Sequence, residues 1–433
     1  MRLNQLVGSI AEAGRSLLNR NRLGSRSVEE LCVELCSSKG EAMGTAIAQE
    51  VVDAYQKMDH AQKLDFFRLL LSNYNSDRES ILSCAQAYTE KDDVASFQAL
   101  CIAVEGTRKD LFRSFNMAPD GTSTLVKMRE DLTRLIAGHS ELKAIDIDLL
   151  YLLKSWFNRG FLTLETIDWH TPAHILEKLI AYEAVHEMQG WEDLRRRLAD
   201  DRRCFAFFHP GLPDEPLIFL QVALVKGLSG NVQELLAEAD VQDNDKGFDT
   251  AIFYSISNCQ EGLKGISFGN FLIKQVVMEL RKELPQLKRY ATLSPIPGFR
   301  RWLSKELAKE DSALLQAEDR KILAYLETDD WHTEPGCTEP LKPLLMSLCA
   351  HYLYYAKRGE QPQDPVERFH LGNGARIERL NWLADVSGNG ITQSAGMLVN
   401  YGYELGQVEE NHETYVNDNT VVVAKDFQRI LSI

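Results

Sequence analysis

Between Ser27 and about Asn158 the apolar positions recur at helical spacing: Val51, Val52, Tyr55 and Met58, then Leu64, Phe67, Leu70 and Leu71, and later Leu125, Met128, Leu132 and Leu135. A 3.6-residue period aligns such positions into one stripe per helix, so this stretch predicts a bundle of about eight helices closed around its own core. No alternating strand pattern interrupts it.

The period changes at Gly160. Phe161-Leu162-Thr163-Leu164-Glu165-Thr166-Ile167 alternates apolar and polar with period two and predicts a strand. Thr171 and Pro172 then read as N-cap and first residue of a helix carrying Ile175, Leu176, Leu179 and Ile180. The runs 203–208, 216–224 and 251–257 are short, apolar and rich in β-branched or aromatic residues, so each predicts a buried strand. Phe268, Phe271, Leu272, Val276, Val277, Leu280 and Leu284 return to helical spacing until Pro285 stops the helix, and 290–293 predicts another strand. The order β, α, β, β, β, α, β places a domain boundary near residue 159. The expected architecture is an all-α bundle over 1–158 followed, over 159–433, by a mixed β-sheet flanked by helices.

Composition agrees with this and narrows the function. A chain of 433 residues exceeds one typical core, and 44% hydrophobic content excludes wholesale disorder. The net charge of −15 argues against a nucleic-acid binder, which needs clustered cations to neutralise phosphates. The eight cysteines carry no CxxC pair and no metal spacing, so they predict reduced thiols in a cytoplasm-like compartment; Cys32 and Cys36, one turn apart, leave a redox disulfide as the alternative. His170 and His174 are four apart, but Pro172 lies between them, and with His186 they read as structural or surface histidines; no metal site is expected. No 18-residue apolar stretch exists, so no membrane-spanning helix is expected. Arg2, Arg15, Arg20, Arg22 and Arg26 against Glu12 read as a first helix of the mature domain, with a mitochondrial presequence as the alternative. The ending Leu431-Ser432-Ile433 is not the peroxisomal Ser-Lys-Leu, and a cytoplasmic location is expected.

Chemistry concentrates between Thr250 and Leu303. Lys264-Gly265-Ile266-Ser267-Phe268-Gly269-Asn270 joins a strand to a helix start, where glycines permit close backbone approach and free N–H groups meet the positive end of the helix dipole. Such a loop suits a pyrophosphate, an ordinary βα turn being the alternative. It is similar to the loop of the acetyltransferase-like (GNAT) superfamily, with Ser267 where a glycine is usual. Next, Ser294-Pro295-Ile296-Pro297-Gly298 is a turn with two prolines that fix φ and remove two donors, which would hold the Ser294 hydroxyl rigidly. His370 lies between Pro365 and Gly372-Asn373-Gly374 and reads as a loop histidine with a near-neutral pKa suited to acid/base work.

Three blocks resemble the malonyl-CoA decarboxylase family: Ala251 to Phe299, His370-Leu371-Gly372-Asn373-Gly374-Ala375, and Asn381 to Ser387 leading to Asn400-Tyr401-Gly402-Tyr403. The likeness runs from about Phe161 to the C-terminus, and the helical part fits more loosely. The resemblance implies conversion of malonyl-CoA to acetyl-CoA and CO2 with neither metal nor organic cofactor. It implies a GNAT-like catalytic domain, and homo-oligomerisation through the helical part, as a tetramer. It assigns catalysis to Ser294 and His370 with Tyr403 contributing, and coenzyme A binding to Lys264 through Asn270. The family's acidic residue in that loop falls on Ser267, so this chain lacks that carboxylate. Two other readings stay open: a CoA-dependent N-acetyltransferase, and a noncatalytic helical scaffold with a degenerate CoA-binding domain.

Overall fold

Among the described residues, the α-helices of the first part are Val28–Leu35, Glu41–Lys57, His60–Asn73, Arg78–Lys91, Val94–Glu105, Thr107–Asn116, Gly121–Ile136 and Lys143–Trp156. The structure is a computed structural model describing residues 26–37, 40–237, 247–266 and 272–431, with residues 8, 9 and 11. Side chains that satisfy orphan amides start several of these helices. Ser27 pairs with Glu30 and Asp59 with Gln62 in capping boxes, while Asp77 and Asp93 accept from the first turns of theirs. The stripes expected from periodicity close the core: Val51, Tyr55, Phe67, Leu70, Leu125, Met128, Leu132 and Leu135 pack there with Phe112, Phe115 and Leu149.

Contacts divide the chain into two compact units that are not continuous in sequence. Phe208–Leu217 and Gln260–Phe268 cluster with the helices of Met1–Thr163. Within that unit His209 Nε2 lies 3.1 Å from the Trp156 carbonyl, and its ring packs on Phe157. The buried Arg129 guanidinium pairs with Asp146 and donates to the carbonyls of Gly262 and Lys264, both at 2.8 Å.

The second unit is built on a mixed sheet. Its strands are β1 (Thr163–Ile167), β2 (Arg202–Phe208), β3 (Ile218–Val225), β4 (Thr250–Asn258), β5 (Arg289–Thr292), β6 (Ser294–Pro295), β9 (Arg376–Asn381) and β10 (Leu398–Gly402), with β7 (Lys357–Arg358) and β8 (Gln361–Pro362) forming a separate hairpin. The order is β1-β2-β3-β4-β5-β10-β6, with β9 on β10. The expected two-part architecture, helical and then mixed sheet with helices, is present. The helix Leu272–Glu283 between β4 and β5 buries Leu272, Ile273, Val276, Val277 and Leu280, as its stripe requires. One start differs by a residue: Thr171 turns its hydroxyl back to the Asp168 N–H, and the helix opens at Ala173. No helix among the described residues is long and apolar enough to cross a membrane.

The site is positioned by a divergence of two strands. β4 and β5 run parallel through the pair Phe253 and Thr292, and the last bond is from Leu293 N–H to the Phe253 carbonyl at 3.0 Å. Pro295 and Pro297 have no N–H to continue the ladder. The chain instead crosses to β10, where Ser294 pairs with Val399 and Pro295 with Leu398. The C-terminal end of β4 is thus left open on that side.

Candidate active site

The opening holds a pocket of about 250 Å³. Tyr254, Ile256 and Asn258 of β4 line it on one side; Leu293, Ser294 and Pro295 face them, and Val366, Phe369 and His370 complete the wall. Most of this lining is apolar. Ser294 and His370 are its main reactive groups.

Ser294 Oγ lies 3.0 Å from His370 Nε2, and His370 Nδ1 lies 2.8 Å from the Tyr403 hydroxyl. Ser294 also donates to Thr292 Oγ1 at 2.8 Å, which takes the Tyr401 N–H at 3.2 Å as well. One assignment of hydrogens satisfies the whole chain. Tyr403 O–H donates to Nδ1, Nε2–H donates to Ser294 Oγ, and Ser294 O–H donates to Thr292. In this arrangement His370 is neutral. Burial alone drives its pKa down from 6.5 to about 3, and burial likewise pushes the Tyr403 phenol well above its usual value.

His370 is not a loop residue, as its glycine-rich surroundings suggest. It lies in the helix Pro365–Gly372. Asp364 caps that helix by accepting from Val366 and Glu367 N–H at 2.9 and 3.1 Å, and Pro365 supplies the preset φ of a first helical residue. Asn373 and Gly374 end the helix instead of containing the histidine. The imidazole is further fixed by stacking on Tyr401, with centroids 4.5 Å apart and planes 25° from parallel.

Asp364 also joins the serine turn to the histidine helix. Its Oδ2 takes the Gly298 N–H and the Tyr352 hydroxyl, both at 3.4 Å. Burial raises its pKa while these donors act to lower it. Gly298 has no room for a side chain, since a Cβ would lie 2.1 Å from the Tyr352 hydroxyl. Gly298→Ala is therefore expected to push the turn away from Tyr352 and Asp364, destabilising the fold by about 1–3 kcal/mol and lowering kcat. Denaturant midpoints and steady-state turnover measure both effects.

A second polar network backs the pocket. The buried Glu183 carboxylate accepts from the Val185 and His186 amides, from Ser255 and Ser257 of β4, and from Gln221 of β3, with Arg197 3.7 Å away. Val185, which lines the pocket, is held by this carboxylate. The sequence reading missed Thr292, Asp364 and Glu183. Only Asp364 carried a legible signal, as an Asp-Pro pair at a helix start.

The proposed ligand loop is described in part. Lys264 is exposed, with Glu261 3.8 Å from its ammonium, and Gly265 takes φ +82°, a conformation that favours glycine. Ser267, Phe268, Gly269 and Asn270 lie outside the described residues. None of the eight cysteines is in a disulfide, and Cys259 is buried. Among the described residues no group of three or more His, Cys, Asp or Glu side chains could hold a metal ion.

Comparison with known proteins follows the same outline. Residues 160–433 match the family model of the malonyl-CoA decarboxylase C-terminal domain, and residues 74–157 match that of its N-terminal domain. The mitochondrial malonyl-CoA decarboxylase of Anser anser anser is 33% identical over 98% of this chain and 90% of its own length. Among solved structures, malonyl-CoA decarboxylase from Rhodopseudomonas palustris superposes with a TM-score of 0.89 at 45% identity, covering 94% of this chain and 100% of that one. The Agrobacterium vitis enzyme gives 0.88 at 45% identity, covering 93% and 99%.

Proposed function

Because the chain belongs to the malonyl-CoA decarboxylase family, we propose that the pocket between β4 and β5 binds the malonyl thioester and that Ser294, His370 and Tyr403 carry the reaction. The protein is a carboxy-lyase that converts malonyl-CoA to acetyl-CoA and CO2. The observation that supports the site is the hydrogen-bonded chain from Tyr403 through His370 to Ser294, which ends at the pocket wall.

Breaking the bond between C2 and the carboxylate releases CO2 and leaves the electron pair on C2, delocalised onto the thioester oxygen. The site must offer a donor to that oxygen and a proton to C2. Ser294 O–H, swung from Thr292 toward the substrate, supplies the donor. His370 Nε2–H holds the serine oxygen from behind and refills it when the serine gives its proton to C2. Tyr403 O–H passes its hydrogen to Nδ1 in the same concerted shift, and once the product has left, a solvent proton entering through Ser294 reverses the shift and restores both Nε2–H and the phenol. The imidazole never carries a charge, in keeping with its low pKa. The apolar lining disfavours the charged carboxylate relative to neutral CO2. These steps involve no metal and no organic cofactor.

Lys264, Gly265, Ile266, Ser267, Phe268, Gly269 and Asn270 are proposed to hold the coenzyme A pyrophosphate, supported by the glycine-spaced sequence and the left-handed Gly265. Homo-oligomerisation through the helical part is proposed from the exposed Leu82, Val94, Phe97 and Ile102 of the helices Arg78–Lys91 and Val94–Glu105. The deciding experiment for the reaction is CO2 release from malonyl-CoA measured beside acetyl transfer from acetyl-CoA to amines. Release without transfer is expected; transfer without release would overturn the reading.

A further inference from the structure

The helix that positions His370 also carries Glu367, one turn earlier, and that residue is 0% exposed. Neither of its carboxyl oxygens has a hydrogen-bond partner among the described residues. The same holds for the Tyr401 and Tyr415 hydroxyls. Tyr401 comes from β10 and Tyr415 from the helix Val408–Asp418, whose Tyr415 ring approaches the end of the His370 helix at Gly372. All three belong to one neighbourhood. Burial raises the Tyr401 and Tyr415 phenols, and the Glu367 carboxyl adds to the rise at each. None of these three side chains lines the substrate pocket, and the reaction steps above use none of them.

A buried carboxylate without a single donor is among the costliest groups a fold can hold. Protonation removes that cost. Burial, then the neighbouring Asp364, push Glu367 well above the usual carboxyl range, and Lys357 and Arg368 oppose this without forming an ion pair within 4 Å. A neutral carboxyl and two phenols still need partners, and buried polar groups that protein does not satisfy are generally satisfied by internal water. Tyr401 links this cluster to the chemistry, because its ring stacks on the His370 imidazole.

We propose that Glu367, Tyr401 and Tyr415 enclose internal water, and that Glu367, held as the neutral acid, is a positioning residue that fixes Tyr401 beneath His370. A charged Glu367 would favour an imidazolium at His370; the neutral acid leaves the imidazole as the Nε2–H donor that Ser294 requires. The positioning role rests on the reading of His370 above, whereas the neutral acid and its water do not.

The test uses the full-length protein and the variants E367Q, E367L and Y401F. An infrared difference spectrum of wild type minus E367Q near neutral pH is expected to show a carboxylic-acid carbonyl band; carboxylate bands in its place would overturn the proposal. In steady-state decarboxylation, E367L keeps the volume but removes the partners for water, so kcat is expected to fall about tenfold with KM unchanged, and E367Q to recover kcat to within about twofold of wild type. Wild-type kcat in E367L, or E367Q no better than E367L, overturns the role. If E367L does not fold, Y401F carries the test, with the same expected fall in kcat at constant KM. An H370A variant with undiminished turnover would instead overturn the reading of the site itself and leave the infrared result standing.

Discussion

Ser294→Ala and His370→Ala are each expected to lower kcat for malonyl-CoA decarboxylation by about 10²–10⁴-fold, since each removes a group proposed as donor or proton carrier in the reaction. KM should change far less, because coenzyme A is much the larger part of the substrate and neither change touches the loop proposed to hold it. The double variant should be little worse than either single one. Ser294 and His370 are joined by one hydrogen bond of 3.0 Å, and in the proposed mechanism they work as a unit, whose members lose their function together. Additive losses would mean that the two side chains work separately, and wild-type turnover in either single variant would remove both from the mechanism.

The second large effect is on stability at acid pH. His370 has a folded-state pKa of about 3 against an ordinary 6.5, so the folded protein resists the proton that the unfolded chain accepts. Above pH 6.5 both states are neutral and the group is without effect. As pH falls from 6.5 toward 3 the unfolded chain gains a proton that the folded chain does not, and stability declines. The full loss amounts to about 5 kcal/mol, of which about 2 kcal/mol falls between pH 7 and pH 5. Burial also lowers His186, His209 and His351, so wild type alone does not isolate the term. Comparison with His370→Gln does. Denaturant unfolding at the two pH values is expected to show wild type losing about 2 kcal/mol more than the variant. Equal losses would mean that the imidazole accepts a proton in the folded protein, and the neutral relay would fail with it.

Much of this arrangement is legible in the sequence, for identifiable reasons. Helix stripes such as Leu125, Met128, Leu132 and Leu135 serve a core, and a core leaves a period that can be read directly. The serine turn is also legible, because two prolines in three residues constrain the backbone whatever surrounds them. What could not be read was the company each residue keeps. Thr292 becomes part of the hydrogen-bonded chain only because β5 ends there and Ser294 crosses to β10. Glu183 reaches Ser255 and Ser257 across 72 and 74 residues, and no local pattern records that. His370 reads as a loop residue because Gly372 and Gly374 dominate the local composition, although Asp364 and Pro365 before it spell the helix start that the structure shows. The helix matters. It sets Glu367 and His370 on one side, one turn apart, and so connects the buried acid to the imidazole that is hydrogen-bonded to Ser294.

The claim on which everything else depends is that the malonyl group meets Ser294 and His370 in the opening between β4 and β5. A crystal structure with a malonyl-CoA analogue that cannot lose CO2 tests it most directly. The expected result places an oxygen of the malonyl thioester group within about 3 Å of Ser294 Oγ, with His370 Nε2 still on the serine and Tyr403 still on Nδ1. An acyl group bound away from Ser294, or a His370 swung out of the chain when the analogue binds, would contradict it.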